Sequence, residues 1–146
     1  MLWQLFLFLC TPAWAYEPGK HYVLAGAGAS SVHSYEAAAS LEYFYFPTGG
    51  VHSFGMRVDR AFGSPSTTVV SLPLGGMLGC GHACLNLRLI AAPGLRFAPG
   101  RTDFAFLLGI GRWFELGDWR LQPSIAGDVT VRDATSFFGL QVGRGF

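Results

Sequence analysis

Four polar residues in two short segments have side chains suited to acyl transfer. That chemistry needs a hydroxyl nucleophile, an imidazole base and an acid that orients the base. The candidates are His33 and Ser34 in one segment, and Asp133 and Ser136 near the end of the chain. Their spacing matches no motif that we recognise, and these residue types are common in ordinary loops. We therefore assign no catalytic residue and expect a protein that is not an enzyme.

The segment Cys80–Cys84, which reads CGHAC, could hold a metal or close a small disulfide. A metal site needs more ligands than His82 adds to the two cysteines. The third cysteine, Cys10, lies in an N-terminal segment that we expect to be removed on export, which leaves an even pair in an oxidising compartment. We expect a Cys80–Cys84 disulfide, with neither a metal nor a cofactor.

The composition indicates contact with lipid. Of the 146 residues, 51% are hydrophobic and only 13% are charged, whereas a typical soluble domain is about 25% charged. The net charge is +1, and the basic residues are scattered without a run or a stripe. The sequence therefore lacks the clustered basic residues that are typical of nucleic-acid-binding proteins. The length suits one domain, and its excess apolar surface must be covered by something other than water.

A transmembrane helix does not explain this composition. Such a helix needs about 20 consecutive apolar residues. The apolar stretches of the main body are interrupted by charge, Gly or Pro, as Phe104–Leu116 is by Gly109, Arg112 and Glu115. Because backbone polar groups in lipid must be hydrogen-bonded internally, a closed barrel is the other structure that can span a membrane. An apolar-rich soluble β-domain is the alternative.

The N-terminal segment has the pattern of a secretory signal peptide. It has an apolar core over Leu2–Leu9, a break at Pro12 and an A-x-A cleavage pattern at Ala13–Ala15. No Lys or Arg precedes the core, so an atypical signal, a displaced start and a hydrophobic N-terminal strand or helix stay open. We predict a signal peptide over residues 1–15 and one barrel domain over residues 16–146.

The main body divides into segments of about ten residues separated by turn clusters, a pattern typical of transmembrane barrel strands. The predicted strands are His21–Ala29, Glu36–Phe46, His52–Phe62, Ser66–Leu78, Ala83–Ala92, Asp103–Phe114, Trp119–Val131 and Ser136–Phe146. We expect the longest connection over Pro93–Arg101. Apolar and polar residues alternate along these strands, so each has an apolar and a polar face. The predicted fold is an all-β, eight-stranded, antiparallel up-and-down transmembrane barrel.

The two faces of the predicted strands have different roles. The apolar face is expected to meet lipid at Phe54, Met56, Val58, Leu87, Phe106, Leu108, Leu121 and Ile125. The polar face carries charges of both signs, which predicts a lumen ion-pair network of Glu42, Arg57, Asp59, Arg88, Arg120, Asp128 and Arg132. Within it we expect Asp128 to face Arg57 or Arg88. Because an eight-stranded lumen is just wide enough to be filled by side chains, we expect a plug rather than a wide pore.

The last strand carries a recognisable motif. The final ten residues, FFGLQVGRGF, resemble the C-terminal assembly signal of outer-membrane β-barrel proteins, in which apolar residues at every second position precede a terminal Phe. Phe138, Leu140, Val142 and Phe146 fit this signal, whereas Arg144 stands where an apolar or aromatic residue is usual. Strand count and size resemble the small eight-stranded members, such as the OmpA transmembrane domain and OmpX.

The resemblance implies a location and a set of partners. The chain would be exported through the periplasm of a diderm (Gram-negative) bacterium and inserted into the outer membrane as a monomer. Its partners would be outer-membrane lipids, the assembly machinery that reads the last strand, and periplasmic chaperones. We expect a non-catalytic role in structure, anchoring or envelope integrity. The alternatives are a lipid A-modifying barrel enzyme (acyltransferase or deacylase), a narrow channel, and a soluble periplasmic lipid-binding barrel, in which the apolar face points inward.

Overall fold

The computed structural model describes residues 19–31, 35–47, 52–78 and 87–146, and these residues form ten β-strands. The strands are β1 (His21–Ser31), β2 (Tyr35–Tyr45), β3 (His52–Ala61), β4 (Thr67–Ser71), β5 (Leu74–Leu78), β6 (Leu87–Ala98), β7 (Arg101–Arg112), β8 (Phe114–Leu116), β9 (Trp119–Thr130) and β10 (Ala134–Gly145). Within the described ranges, no helix has the length and apolar character needed to cross a membrane.

The ten strands form eight barrel strands. Both β4 and β5 pair with β3 on one side and with β6 on the other, so together they make one barrel strand that is interrupted at Leu72 and Pro73. In the same way, β8 continues β7 beyond Trp113 and pairs with β9. Neighbours in sequence pair antiparallel, and β10 pairs with β1, which closes the sheet. The predicted eight-stranded up-and-down barrel is confirmed.

The pairing register sets the shape of the barrel. Tracing paired residues once around the sheet from His21 returns to β1 ten residues later, at Ser31. The residues between them on this path are Tyr45, Phe54, Leu74, Ala91, Leu108, Gly127 and Ser136. A stagger of this size on eight strands requires the strands to tilt by about 40° from the barrel axis. The lumen of such a barrel is narrow enough for side chains to fill it.

Side chains alternate between the lumen and the outer surface, and the apolar ones dominate the outside. On β2, for example, Glu42 and Phe44 are buried in the lumen, whereas Leu41 and Tyr43 are exposed on the outer surface. The residues predicted to meet lipid all lie on the outer surface. A soluble lipid-binding barrel has the opposite arrangement, with its apolar face inward. The structure therefore contradicts that alternative.

Aromatic residues on the outer surface gather at both ends of the barrel. We call the end where β1 begins and β10 ends the near rim, and the opposite end the far rim. Outward aromatic side chains at the near rim are Tyr43, Tyr45, Phe54, Trp119 and Phe146, and those at the far rim are Tyr35, Phe62, Phe97 and Phe104. Two such girdles flank the apolar band of transmembrane barrels.

The prediction of a long connection over Pro93–Arg101 is wrong. Strand β6 continues through Pro93 to Ala98 and joins β7 by a turn at Pro99 and Gly100. Pro93 still accepts a hydrogen bond from the backbone N–H of Leu72, at 3.0 Å. Because proline has no N–H, the reciprocal bond is missing, and the loss falls where the neighbouring strand is already interrupted. The strand therefore accommodates its proline at the cost of one hydrogen bond.

Candidate functional site

The lumen is the candidate functional site, and aromatic residues fill its near end. The buried cluster consists of Tyr22, Leu24, Phe44, Phe46, Met77 and Trp113. The Tyr22 ring stacks on Phe44 with ring centroids 5.3 Å apart and meets Trp113 edge-on at 5.2 Å. The sequence pattern did not reveal this cluster, because Tyr22 and Phe44 stand beside outward apolar residues and alternation cannot separate the two faces there.

A layer of amides lies next to the aromatic cluster. Trp113 donates its indole N–H to the side-chain oxygen of Gln122. The amide nitrogen of Gln122 in turn donates to Gln141, at 2.9 Å, and Ser124 donates to the same Gln141 oxygen at 3.4 Å. These bonds tie β9 to β10 inside the lumen. Among the described residues the side-chain nitrogen of Gln141 has no partner, whereas the other polar atoms of the two amides are hydrogen-bonded and stabilise the plug.

Four charged residues form a compact ion-pair group in the middle of the lumen. Glu42 accepts a hydrogen bond from Arg88, at 2.7 Å, and lies 3.7 Å from Arg57, which is its register partner on β3. Arg57 also donates two bonds to Asp59, at 2.7 and 2.8 Å. The Arg88 guanidinium lies 3.8 Å from the centroid of the Phe44 ring. The group has two cations and two anions, so it is neutral when all four are ionised.

A second ion-pair group closes the lumen at the far rim. Arg96 donates to Asp128 at 2.8 Å through Nε, donates to Thr135 at 3.0 Å, and forms an ion pair with Asp133. Asp133 also accepts a bond from Arg101 at 2.9 Å. Arg96 on β6 thereby joins β9, β10 and the turn between them. This contact spans the barrel interior rather than one hairpin.

The environment of Asp133 favours its ionised form. Partial burial raises the pKa of this carboxyl, but a hydrogen bond from Thr130 and the guanidiniums of Arg96 and Arg101 act in the opposite direction. The net effect holds the pKa of Asp133 below its ordinary value. The carboxylate therefore stabilises the far rim at neutral pH and loses this contribution in acid.

The structure pairs Asp128 differently from the prediction. Asp128 was expected to face Arg57 or Arg88, and in the structure its partner is Arg96. Arg96 is absent from the predicted network because it falls in the predicted long connection after Pro93, where a side chain has no defined face. In the structure, the alternation of inward and outward residues continues beyond the proline and directs Arg96 into the lumen.

Two other residues of the predicted network lie away from the central lumen. Arg120 is at the near rim, where it lies 3.1 Å from Glu115 and donates to the backbone carbonyl of Gly117 at 3.0 Å. Arg132 is in the far-rim turn, with 63% of its side chain exposed and Asp103 3.8 Å away. Strand β9 ends at Thr130 rather than at the predicted Val131. The placement of Arg132 in the lumen is corrected accordingly.

Several buried polar atoms of the lumen have no hydrogen-bond partner among the described residues. They include the hydroxyls of Tyr22, Ser40 and Ser71, and the Nε atom of Arg88. A cavity of about 20 Å³ also lies beside Asp59, which is roughly room for one water molecule. Because buried polar groups are costly when unpaired, these atoms predict internal water in the lumen.

The residues considered for acyl transfer are only partly described. Asp133 is engaged by two guanidiniums, and the Ser136 hydroxyl lies 2.6 Å from that of Ser31 on the neighbouring strand. His33 and Ser34 lie outside the described residues, as do Cys80, Cys84 and the predicted signal peptide. In the described part of the far rim, the carboxylate of Asp133 forms ion pairs with Arg96 and Arg101.

The C-terminal residues Phe138, Leu140, Val142 and Phe146 all point outward, with 41 to 69% of each residue exposed. Their alternation with inward Gly139, Gln141 and Gly143 places an apolar row on the outer face of β10. Arg144 lies on the same face at the near rim and bonds to Asp118 at 3.1 Å. This pairing explains how an arginine is tolerated at that position of the motif.

The comparisons with known proteins concern the fold. No protein-family model matches the sequence, and no curated protein matches it either. The N-terminal β-barrel domain of Pseudomonas aeruginosa OprF is similar with a TM-score of 0.63 and 16% identity, over 88% of this chain and 99% of that one. Ail, the attachment invasion locus protein of Yersinia pestis, has a TM-score of 0.50 and 12% identity, over 89% of this chain and 100% of that one. The expected likeness to small eight-stranded barrels is confirmed as architecture.

Proposed function

We propose that the chain is an integral outer-membrane barrel with a structural or anchoring role in the cell envelope. The observation that carries this proposal is the inverted burial, with charged and amide side chains packed in the lumen and apolar ones on the outer surface. A water-soluble protein could not expose this surface without aggregating. In a bilayer the same surface is covered by acyl chains, and the two aromatic girdles lie at the interfaces.

The packed lumen and the short turns support a structural role. The aromatic cluster and the two ion-pair groups occupy the lumen from the near rim to the far rim, which disfavours a wide pore. The described turns of the far rim are also small, with residues 62–66 between β3 and β4, Pro99 and Gly100 between β6 and β7, and residues 131–133 between β9 and β10. Such turns offer little area for adhesion to another cell or protein.

The proposed partners follow from the proposed location. Outer-membrane lipids would cover the outer surface, and the outward row of β10 would be read by the assembly machinery. Periplasmic chaperones would carry the exported chain to that machinery. Because β10 pairs with β1, the described strands close into a barrel rather than ending in two open edges, and a closed barrel supports a monomer.

Membrane fractionation combined with gel mobility tests the proposal. We expect the protein in the outer-membrane fraction of the producing cells and not in the soluble periplasmic fraction. Unheated samples should migrate differently from boiled ones on a denaturing gel, because a folded barrel resists the detergent. Recovery in the soluble periplasm with no heat-dependent shift would contradict the proposal.

A narrow conducting path is the alternative that the unpartnered polar atoms of the lumen favour. Conductance in planar bilayers distinguishes the two functions. The structural proposal predicts no steady conductance, because the aromatic cluster closes the near end. Steady conductance of the parent protein that changes when Arg57, Arg88 or Asp128 is neutralised, at unchanged stability, would identify a channel.

A further inference from the structure

The charges on the outer surface of the barrel are unevenly distributed. Among the described residues, the carboxylates lie on the inward face of the strands or in the turns and the short strand beside them. Three arginines project outward instead, namely Arg60, Arg112 and Arg144. Arg112 and Arg144 lie at the near rim, and Arg60 lies on β3 close to the far rim. The described part of the outer surface therefore carries positive charge without negative charge.

Arg60 differs from the two near-rim arginines in its partners. Arg144 is paired with Asp118 at 3.1 Å, and Arg112 stacks over the Phe114 ring at 5.2 Å. Arg60 donates to the Thr68 hydroxyl at 3.3 Å and lies 5.8 Å from the centroid of Phe62. No carboxylate of the described residues lies within ion-pair distance of it. Its guanidinium is exposed, and most of its donors stay available.

The neighbours of Arg60 on the outer surface do not supply an anion. Its register partners are Ala39 on β2 and Thr68 on β4, and Phe97 on β6 follows Thr68 in the same row. This surface would face lipid. A guanidinium in such a place extends toward the headgroups, where it can pair with a phosphate through two parallel N–H bonds. Phe62, in the far-rim girdle, marks the level at which headgroups begin.

We propose that Arg60, with the Thr68 hydroxyl beside it, binds a phosphate of a lipid A molecule in the outer leaflet. The inference rests on the proposed outer-membrane location, with the near rim toward the periplasm. The far rim then lies in the leaflet whose lipids carry lipid A phosphates. The acyl chains of the same molecule would lie along the apolar outer face below Arg60.

Thermal stability in bilayers of defined composition tests this inference. The parent protein is placed in phosphatidylcholine vesicles without lipid A, with bisphosphorylated lipid A, or with lipid A whose phosphates have been removed. Tm is read from the heat-dependent gel shift. We expect bisphosphorylated lipid A to raise Tm and the dephosphorylated form not to. Arg60→Gln should lose most of that rise, and Arg60→Lys should keep part of it.

Arg144→Gln is the matched control, because it removes an outward arginine from the opposite rim that already has a carboxylate partner. It should keep the full rise with lipid A. The inference is overturned if Arg60→Gln keeps the full rise, if dephosphorylated lipid A acts equally, or if inorganic phosphate reproduces the effect. A parent protein that does not enter vesicles at all would instead contradict the proposed function.

Discussion

Arg96 is the residue on which the far end of the lumen depends. Its guanidinium contacts Asp128 and Thr135 from two barrel strands and Asp133 from the turn between them. Since Arg96 is almost wholly buried, the loss of one partner leaves charge in a place from which water is largely excluded. Removing one member of such a pair costs far more than replacing both.

Asp128→Ala should therefore destabilise the barrel, but by less than the roughly 3–5 kcal/mol of a buried charge left without any partner, because Asp133 still pairs with Arg96. Neutralising the partner as well, in Asp128→Ala with Arg96→Met, should restore most of this loss, because no buried charge is left unpaired. Urea unfolding in vesicles measures both. Arg57→Met is the control partner, and it should give no rescue. Equal rescue by Arg57→Met and Arg96→Met would show that the pairing is not specific.

Asp133 predicts how the far rim responds to acid. Because its folded-state pKa is lowered, its ionised form contributes stability that is fully present above the unfolded value of about 3.9. That contribution is lost as the pH falls below this value through the folded pKa. The Tm difference between the parent and Asp133→Asn should be constant from pH 7 to about pH 5 and shrink in stronger acid. A difference that does not change with pH would contradict the assigned role.

The sequence predicts some lumen residues better than others. Arg57 and Asp59 are charges on a clean alternating segment, so their inward direction follows from period two alone. Arg96 could not be found in this way, because Pro93 and Gly94 just before it are typical of a turn. The position of Arg96 depends on the interruption between β4 and β5 beside Pro93. This interruption is a feature of the tertiary structure.

Strand β6 shows that the same limit of sequence-based prediction applies to a whole strand. The alternation of apolar and polar residues predicts that β6 exists and which way its side chains face, but it does not predict where the strand ends. A proline inside a strand is tolerated where no group on the neighbouring strand needs the hydrogen bond that its missing N–H would have made. The other strand boundaries agree with the prediction to within a few residues. Where Pro and Gly fall in turns, as at Gly63 and Pro65, the sequence places the break correctly.

The turn between β6 and β7 offers a direct test of the corrected boundary. Gly100 has a φ of 73°, and a Cβ there would meet no atom within 4 Å. Any cost of Gly100→Ala is therefore a backbone cost, which is about 1–2 kcal/mol for a left-handed residue. Gly100→Asn should cost less, since Asn tolerates this conformation. Equal stability of all three proteins in urea unfolding would favour a long, loose connection instead.

The disulfide between Cys80 and Cys84 stays a prediction about the connection between β5 and β6. The loop that it closes is short, so its effect on stability should be modest. Alkylation of the denatured, non-reduced protein without residues 1–15, followed by mass spectrometry, checks it. We expect no labelled cysteine before reduction and two after it. Two labelled cysteines without reduction would exclude the bond.

At the scale of the whole molecule, three sequence features predict the barrel: alternation, strand length and the spacing of turns. The division of aromatic residues between plug and girdle could not be predicted. In the segment Tyr43–Phe46 every residue is aromatic, so no periodicity distinguishes the lumen face from the outer face. Closure of the sheet determines which face of β2 encloses the lumen, and therefore which of these aromatic residues belong to the plug and which to the girdle.

The native tryptophans test the central claim directly. That claim is that an apolar outer surface contacts lipid and surrounds a packed lumen. Without residues 1–15, the chain has Trp113 in the lumen and Trp119 on the outer surface. In vesicles whose acyl chains carry bromine, the fluorescence of Trp119→Phe, which comes from Trp113, should be almost unquenched. Adding Leu108→Trp on the outward face of β7 should restore strong quenching. Strong quenching in Trp119→Phe alone, or none after Leu108→Trp, would contradict the account.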